Sequence, residues 1–159
     1  MFINFTTFTN MIFQSKDKFL YYLKNIENFT ALGIDFGLRK SGLALYNSEV
    51  KIVIPYLIFY HLTKNIRVLI CLIRKKSIDA IIIGYPIGSN NQEEEYISKI
   101  MPLVAILSWK CNIPTILSDE RFTTSMANKL LKRTNIKRKL RNEIDDLVSV
   151  CILLENFFY

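Results

Sequence analysis

Histidine and cysteine are scarce in this chain, which has one and three of them among 159 residues. The single His61 follows an aromatic run with no second histidine or nearby cysteine, so we do not expect it to bind a metal. The cysteines (Cys71, Cys111 and Cys151) are far apart, have no metal-binding spacing and lie in or beside apolar stretches. We expect them to be reduced core residues of a cytoplasmic protein.

Long apolar runs are also absent. No run reaches the roughly 18 residues that a membrane-spanning helix needs, so we expect no membrane partner. The opening Met1–Phe5 lacks a basic start and a small-residue cleavage site, which is not typical of a secretory signal. Half of the residues are hydrophobic, and there are no internal repeats. Length and composition predict a globular chain whose core is large enough to be stable without disulfides.

Positive charge is in surplus, and most of it lies in one segment. The net charge is +7, and between Asp119 and Arg141 eight basic residues accompany only two acidic ones. A concentrated basic patch is typical of proteins that bind the phosphate backbone of nucleic acids. The alternative is a solvated helix face in a chain rich in lysine, asparagine and isoleucine.

The order of the predicted elements is typical of an α/β fold. Residues 1–30 are predicted as an N-terminal extension with a helix that begins at Ser15, and residues 31–159 as the main domain. A mixed central sheet with helices on its faces accounts for the order of the remaining elements. The predicted strands are Ala31–Leu38, Ser41–Tyr46, Lys51–Leu57, Ala80–Ile83 and Pro114–Leu117. The predicted helices are Leu62–Lys76, Glu93–Cys111, Thr123–Thr134 and, after a basic linker at Lys137–Arg141, Asn142–Phe158.

Asp35 interrupts a stretch that otherwise predicts a buried strand. An ionised carboxylate is costly to bury unless a cation or several donors meet it. Because alternate residues of a strand share a face, Gly33, Asp35 and Gly37 point the same way. This leaves room beside the carboxylate for an ion, a phosphate or a backbone. The alternative is a turn aspartate that closes the strand.

Two further acidic residues have a similar context. Glu120 follows the last predicted strand at its carboxyl end, where open α/β sheets bind their ligands. Asp146 lies on the otherwise apolar final helix, at spacings that predict a face directed toward the sheet. The residues that share this face are Ser149, Val150 and Leu153. Asp145 and Glu143 lie on other faces, and we expect them to be solvated.

If Asp35, Glu120 and Asp146 converge, their like charges need a cation between them. Ligand sets made only of oxygen suit Mg²⁺ or Mn²⁺. In a basic protein, such a cluster predicts metal-assisted hydrolysis of phosphodiester bonds. The alternative is three unrelated acids: a turn residue, a partner of Arg121 and a residue favoured near a helix N-terminus.

Four sequence blocks resemble, in the same order, motifs of the YqgF (RuvX-like) family. They cover the chain from about Ala31 to its end. The family has a ribonuclease H-like fold, is described as Holliday junction resolvases, and has members assigned to maturation of the 5′ end of small-subunit ribosomal RNA. The blocks are Gly33–Ala44, Ile83–Pro86, Asp119–Thr124 and Asp146–Val150 with Ile152–Glu155.

The resemblance implies an acidic triad of Asp35, Glu120 and Asp146. Two departures concern its surroundings, because Asn90-Asn91 stands where the family usually has Asp-Gly, and two valines flank Ser149 where small residues are usual. Basic side chains would contact the scissile phosphate or its neighbours (Arg39, Lys40 and Arg121). Others would hold the nucleic-acid backbone without reading its sequence (Lys137, Arg138, Lys139 and Arg141).

The leading hypothesis is therefore a nuclease that uses Mg²⁺ or Mn²⁺ on pre-16S rRNA, with the ribosomal subunit as a further candidate partner, or on branched DNA. A junction resolvase would need a homodimer, whereas an RNA nuclease could work as a monomer. A non-catalytic nucleic-acid-binding factor for ribosome assembly is the second hypothesis, because the basic segment alone would suffice for it. A third is half of a sugar-kinase or actin-like ATPase, but the chain has no room for a second lobe and no phosphate-binding loop.

Overall fold

A computed structural model describes residues 11–85, 91–119 and 138–159, with side chains at 11–85, 96–118, 140 and 144–159. The strands within these ranges are β1 (Ile12–Phe13), β2 (Thr30–Asp35), β3 (Lys40–Asn47), β4 (Ile52–Tyr60), β5 (Ala80–Tyr85) and β6 (Thr115–Asp119). The helices are α1 (Lys16–Leu23), α2 (Ile66–Lys75), α3 (Asn91–Cys111) and α4 (Arg138–Phe158). The predicted helix Thr123–Thr134 lies outside the described residues.

The strands form one mixed sheet in the order β1-β6-β5-β2-β3-β4. Strands β2, β3 and β4 form an antiparallel meander, whereas β1, β6, β5 and β2 run parallel. The predicted mixed sheet is confirmed. The first hairpin differs in detail, because β2 already ends at Asp35 and four residues connect it to β3.

Two hydrophobic cores, one on each face of the sheet, confirm the prediction of helices on both faces. Strand β5 shows the division, since Ile81 and Ile83 join the core with α2 and α3, while Ala80 and Ile82 join the core with α1 and α4. Its continuous apolar run is therefore a strand buried on both sides. Within the described ranges, no helix is both long and apolar enough to cross a membrane.

The N-terminal residues contribute a strand that the sequence did not predict. Ile12 and Phe13 pair in parallel with β6 and extend the sheet at one edge. The following helix is capped as predicted, with Ser15 Oγ accepting a hydrogen bond from the Lys18 amide at 3.5 Å. Phe19 on this helix is fully buried in the core shared with α4. A strand of two residues has no periodicity, so its position could come only from the fold.

Small residues on the sheet allow α4 to approach closely. A Cβ atom at Gly42 would lie 2.1 Å from the backbone oxygen of Asp146, and one at Gly33 would lie 2.7 Å from Leu154 Cγ. At Gly37 it would lie 2.1 Å from the backbone oxygen of Lys40. The space that we expected beside Asp35 is therefore occupied by protein atoms at Gly33 and Gly37, and at Gly37 the occupant is a backbone, one of the three that we expected.

The three cysteines were expected to be reduced core residues, and the structure differs from this in their burial. All three are free, but Cys71 is exposed, while Cys111 and Cys151 are half-buried. Burial, with a smaller contribution from the charge of Glu155, raises the pKa of the Cys151 thiol to about 11. Cys71 lies on the exposed side of α2. The sequence did not predict this, because a small apolar residue on the outside of a helix resembles a core residue in the sequence.

Gly42→Ala is expected to destabilise the protein by roughly 2–3 kcal/mol, because the new methyl group would overlap a helix backbone that cannot turn away. Gly33→Ala is the matched control, and its smaller effect is expected because the Leu154 side chain can change rotamer. Urea denaturation of both variants measures the difference. Equal losses would show that α4 moves freely over Gly42.

Candidate metal and nucleic-acid site

Asp35 lies at the carboxyl edge of the sheet, where the parallel strands β2, β5 and β6 end at Asp35, Tyr85 and Asp119. It is the last residue of β2 and pairs with Gly42 on one side and Gly84 on the other. Such an edge is where α/β sheets bind ligands, because the loops that follow the strands diverge there. The sequence predicted Asp35 inside a strand Ala31–Leu38, whereas the structure places it as the last residue of β2, as in the alternative of an aspartate that closes the strand.

Helix α4 brings Asp146 to the same place. Its backbone oxygen lies against Gly42, which is the direct cross-strand partner of Asp35. Partners directly opposite each other in an antiparallel pair project their side chains to one face. The covering of Gly33 by Leu154 independently places this face of β2 under α4, and Asp35 lies two residues further along. Asp35 and Asp146 therefore share one face at the carboxyl edge.

Lys40 connects the site to α4. Its Nζ donates a hydrogen bond to Asp145 Oδ1 at 2.8 Å and forms an ion pair with Asp146 Oδ2 at 2.9 Å. The backbone amide of Asp146 also donates to Asp145 Oδ1, at 3.0 Å. The expectation that Asp145 is solvated was wrong, because its side chain is 30% exposed, close to the 24% of Asp146.

Burial and ion pairing act in opposite directions on the pKa values of Lys40 and Asp146. Burial raises the pKa of the Asp146 carboxyl, the Lys40 ammonium opposes this, and the charge of Asp145 adds to it, so that the pKa is raised overall. Burial acts to lower the pKa of Lys40, but its contacts with Asp145 and Asp146 outweigh this effect and raise it. Lys40 is therefore held in its charged form, and the charge on Asp146 is costly.

The donor atoms at this edge fit a hard divalent cation. Asp146 Oδ2 is shielded from solvent and accepts no aligned hydrogen bond from the residues that the structure describes, even though the Lys40 ammonium is near. A buried carboxylate oxygen with unused acceptor capacity is suited to coordinate Mg²⁺ or Mn²⁺. Among the side chains that the structure describes, no three histidine, cysteine or acidic residues form a metal-binding group. Asp35 and Asp146 share one face at this edge, and Asp145 lies beside Asp146 on Lys40. Glu120 lies outside the described residues.

The basic residues predicted to bind the substrate are described to different extents. Arg39 is exposed in the connection between β2 and β3, next to the carboxyl edge. Arg121 and Lys137, together with Asn90, lie outside the described residues. The predicted linker is corrected, because α4 already begins at Arg138 and its first turn includes residues 138–141. The side chains of the three basic residues in this turn are not among those described (Arg138, Lys139 and Arg141).

Comparison with known proteins identifies the family. The model of the family described as "RuvX: Holliday junction resolvase" matches residues 29–159. The chain belongs to the RuvX family. It is 36% identical over 137 residues to a protein of Rickettsia africae (strain ESF-5) named "Putative pre-16S rRNA nuclease", covering 85% of this chain and 89% of that protein. A protein of the same name from Ehrlichia chaffeensis (strain Arkansas) is 30% identical over 147 residues, covering 91% and 93%.

Solved structures show the same fold at low sequence identity. The RuvC protein of T. thermophilus in complex with a Holliday junction matches with a TM-score of 0.55 and 12% identity, over 82% of this chain and 94% of its own. The resolvase of Fowlpox virus with its junction DNA matches with a TM-score of 0.50 and 16% identity, over 82% and 100%. The predicted ribonuclease H-like fold is confirmed by this likeness.

The sequence prediction missed the role of Asp145 in this cluster. Helical spacing assigns adjacent residues to different faces, and it therefore placed Asp145 toward solvent. The signal that could have found it is the pair of adjacent acids beside a lysine of the opening hairpin, but 105 residues separate Lys40 from Asp145. Only packing of α4 on β3 shows that they meet.

Asp146→Asn is expected to stabilise the metal-free protein at pH 7, because it removes a carboxylate whose charge is costly in the fold. The folded-state pKa is raised, so this group stabilises the fold most below its unfolded pKa, and that contribution is lost as pH rises through the folded value. The advantage of the variant should therefore shrink as pH falls toward 4. Urea denaturation in EDTA at both pH values measures it.

Asp145→Asn is the matched control and should lower stability, since Asp145 Oδ1 accepts two hydrogen bonds. A loss of stability in Asp146→Asn as large as in this control would contradict the assignment of a destabilising charge to Asp146.

Proposed function

We propose that this chain is a divalent-metal-dependent endonuclease that hydrolyses phosphodiester bonds of structured nucleic acid, with the 5′ end of pre-16S rRNA as its substrate. The observation that carries the proposal is the placement of Asp35 and Asp146 on one face at the carboxyl edge. Two carboxylates in that position, in a chain of the RuvX family, support hydrolysis rather than binding alone. The proposal places the protein in the cytoplasm.

In this proposal Asp35, Glu120 and Asp146 hold Mg²⁺ or Mn²⁺. When bound, the ion supplies activation of water and stabilisation of charge on the leaving oxygen. Asp35 is held for this role by strand pairing on both sides, and Asp146 by the contact of its backbone with Gly42. Arg39 and Arg121 would neutralise phosphates next to the scissile bond. Lys40 was predicted for the same role, but its ammonium is engaged by Asp145 and Asp146.

The basic segment Lys137–Arg141 would hold the nucleic-acid backbone. Positive side chains in the first turn of a helix are unfavourable for the helix itself, because the N-terminal end of its dipole is also positive. The first turn of α4 contains no acidic residue. A purely structural role therefore does not account for its charges, whereas a phosphate there would be attracted by both the side chains and the helix terminus.

Branched DNA is the alternative substrate, and it is favoured by the family description as Holliday junction resolvase. Backbone contacts and metal-assisted hydrolysis serve RNA and DNA equally, so the carboxyl edge does not distinguish them. The relatives at 30–36% identity named for pre-16S rRNA favour RNA, with the ribosomal subunit as a partner. A junction resolvase would act as a homodimer, whereas an rRNA nuclease can act as a monomer.

Asp35→Asn and Asp146→Asn are each expected to slow cleavage at least about a hundredfold, more than the loss of an outer partner of a metal ligand costs. The measurement is cleavage of a pre-16S rRNA fragment and of a four-way DNA junction, in parallel, with Mg²⁺ or Mn²⁺. Glu49→Gln, an exposed acid in the turn after β3, is the control and should cleave at the wild-type rate.

Full activity of both aspartate variants would falsify the assignment of the site. Cleavage of the junction alone, by a protein that elutes as a dimer, would identify the resolvase instead. Binding of either nucleic acid without cleavage, unaffected by both substitutions, would favour the non-catalytic assembly factor.

Replacing Lys137, Arg138, Lys139 and Arg141 together by glutamine is expected to weaken RNA binding. It should also reduce the slope of log K against log salt by about three to four, because each phosphate that is no longer neutralised releases one counterion fewer. Titrations by fluorescence anisotropy at several salt concentrations measure this slope. Lys75→Gln, at the exposed end of α2, is the single-charge control, and an unchanged slope in the fourfold variant would contradict the backbone role.

A further inference from the structure

Lys40 lies where a bound divalent ion would have to be accommodated. Its ammonium nitrogen is 2.9 Å from Asp146 Oδ2, one of the oxygens assigned above to the metal. The lysine and the ion would therefore compete for the same carboxylate. The side chains of Lys40 and Asp146 are only 31% and 24% exposed, so water screens the repulsion between the two cations incompletely.

Backbone contacts hold the main chains of Lys40 and Asp146 in place, so that these cannot move apart. The backbone oxygen of Lys40 lies against Gly37, and the backbone oxygen of Asp146 lies against Gly42, each with no room for a Cβ atom between them. Lys40 is also paired with Tyr60 at the start of β3. The part that can still move is the long side chain of Lys40, which can turn about its own bonds.

Asp145 provides a place for the displaced ammonium. Its Oδ1 already accepts the aligned hydrogen bond of Lys40 at 2.8 Å, whereas the contact with Asp146 is an ion pair without aligned geometry. The Asp146 amide donates to the same Oδ1 at 3.0 Å and fixes the Asp145 carboxylate in position. A lysine that leaves Asp146 therefore keeps its better hydrogen bond.

We propose that Lys40 and Asp145 are positioning residues that regulate occupancy of the metal site. Without a divalent ion, Lys40 neutralises Asp146 and maintains the site in a folded state. When the ion binds, Lys40 withdraws to Asp145. The cation beside the Asp146 carboxylate is then the divalent ion and no longer the monovalent ammonium of Lys40. This inference rests on the metal site of the proposed function, and it adds a competition within the chain that sets the affinity for the ion.

The test measures binding of Mn²⁺ to the full chain in the absence of nucleic acid. Two readouts are used: titration calorimetry and the electron paramagnetic resonance signal of free Mn²⁺. Lys40→Met should bind Mn²⁺ about fivefold more tightly, since an ion pair of this exposure has to be broken in the wild type. Lys40→Arg keeps the charge and should remain within about twofold of the wild type. Lys75→Met removes a distant exposed charge as the control, and circular dichroism confirms folding of each variant.

Asp145→Asn separates the proposed role from a direct effect of its charge on the ion. In the wild-type background it should weaken Mn²⁺ binding, because Lys40 then loses the Asp145 carboxylate to which it would withdraw. In the Lys40→Met background the same substitution should change the Mn²⁺ affinity by less than about twofold, because no Lys40 ammonium remains for Asp145 to bind.

Two results would overturn the inference alone: Mn²⁺ affinity that does not respond to Lys40→Met, or an Asp145→Asn effect of equal size in both backgrounds. Mn²⁺ binding by neither the wild type nor Lys40→Met would overturn the metal site as well. If the Mn²⁺ affinities change as expected but the wild-type protein cleaves neither nucleic acid, the result would instead count against the proposed nuclease function.

Discussion

The contact of α4 with Gly42 is the constraint on which the rest of the site depends. A glycine at this position lets a helix backbone lie directly on β3, where any side chain would meet the backbone oxygen of Asp146. Because Gly42 is the cross-strand partner of Asp35, one close approach fixes the relative position of two acids that are 111 residues apart in the chain. Neighbouring small residues of the sheet, Ala31 and Ala44, continue the same close packing along α4.

Close packing has an electrostatic consequence. It withdraws the Asp146 carboxylate from water and raises its pKa, and the chain compensates with Lys40 from the opening hairpin. A half-buried ion pair of this kind contributes little net stability, because desolvation offsets much of the attraction. Retention of a costly carboxylate at the carboxyl edge is typical of a functional site, where local stability is given up for chemistry.

Much of the fold follows from local patterns. The apolar runs of β2, β3 and β5 and the amphipathic helices α2 and α4 are visible in the sequence, because burial selects apolar residues in a run or at helical spacing. Strand β1 could not be predicted, since two residues carry no period and their partner, β6, is about a hundred residues away. The start of α4 at Arg138 was also missed, because a cluster of positive charge at a helix N-terminus opposes the usual helix signals.

For the site, the sequence by itself determined the acids and their local surroundings: Asp35 in an apolar stretch that predicts a strand, and Asp146 on a helix face directed toward the sheet, linked by ordered motifs. Only the tertiary structure decided that Gly42 brings these two together, that Leu154 fills the space over Gly33, and that Lys40 lies between Asp145 and Asp146. The physical reason is that periodicity encodes which face of an element is buried. It does not encode which distant atoms meet that face, because this depends on the packing of whole elements.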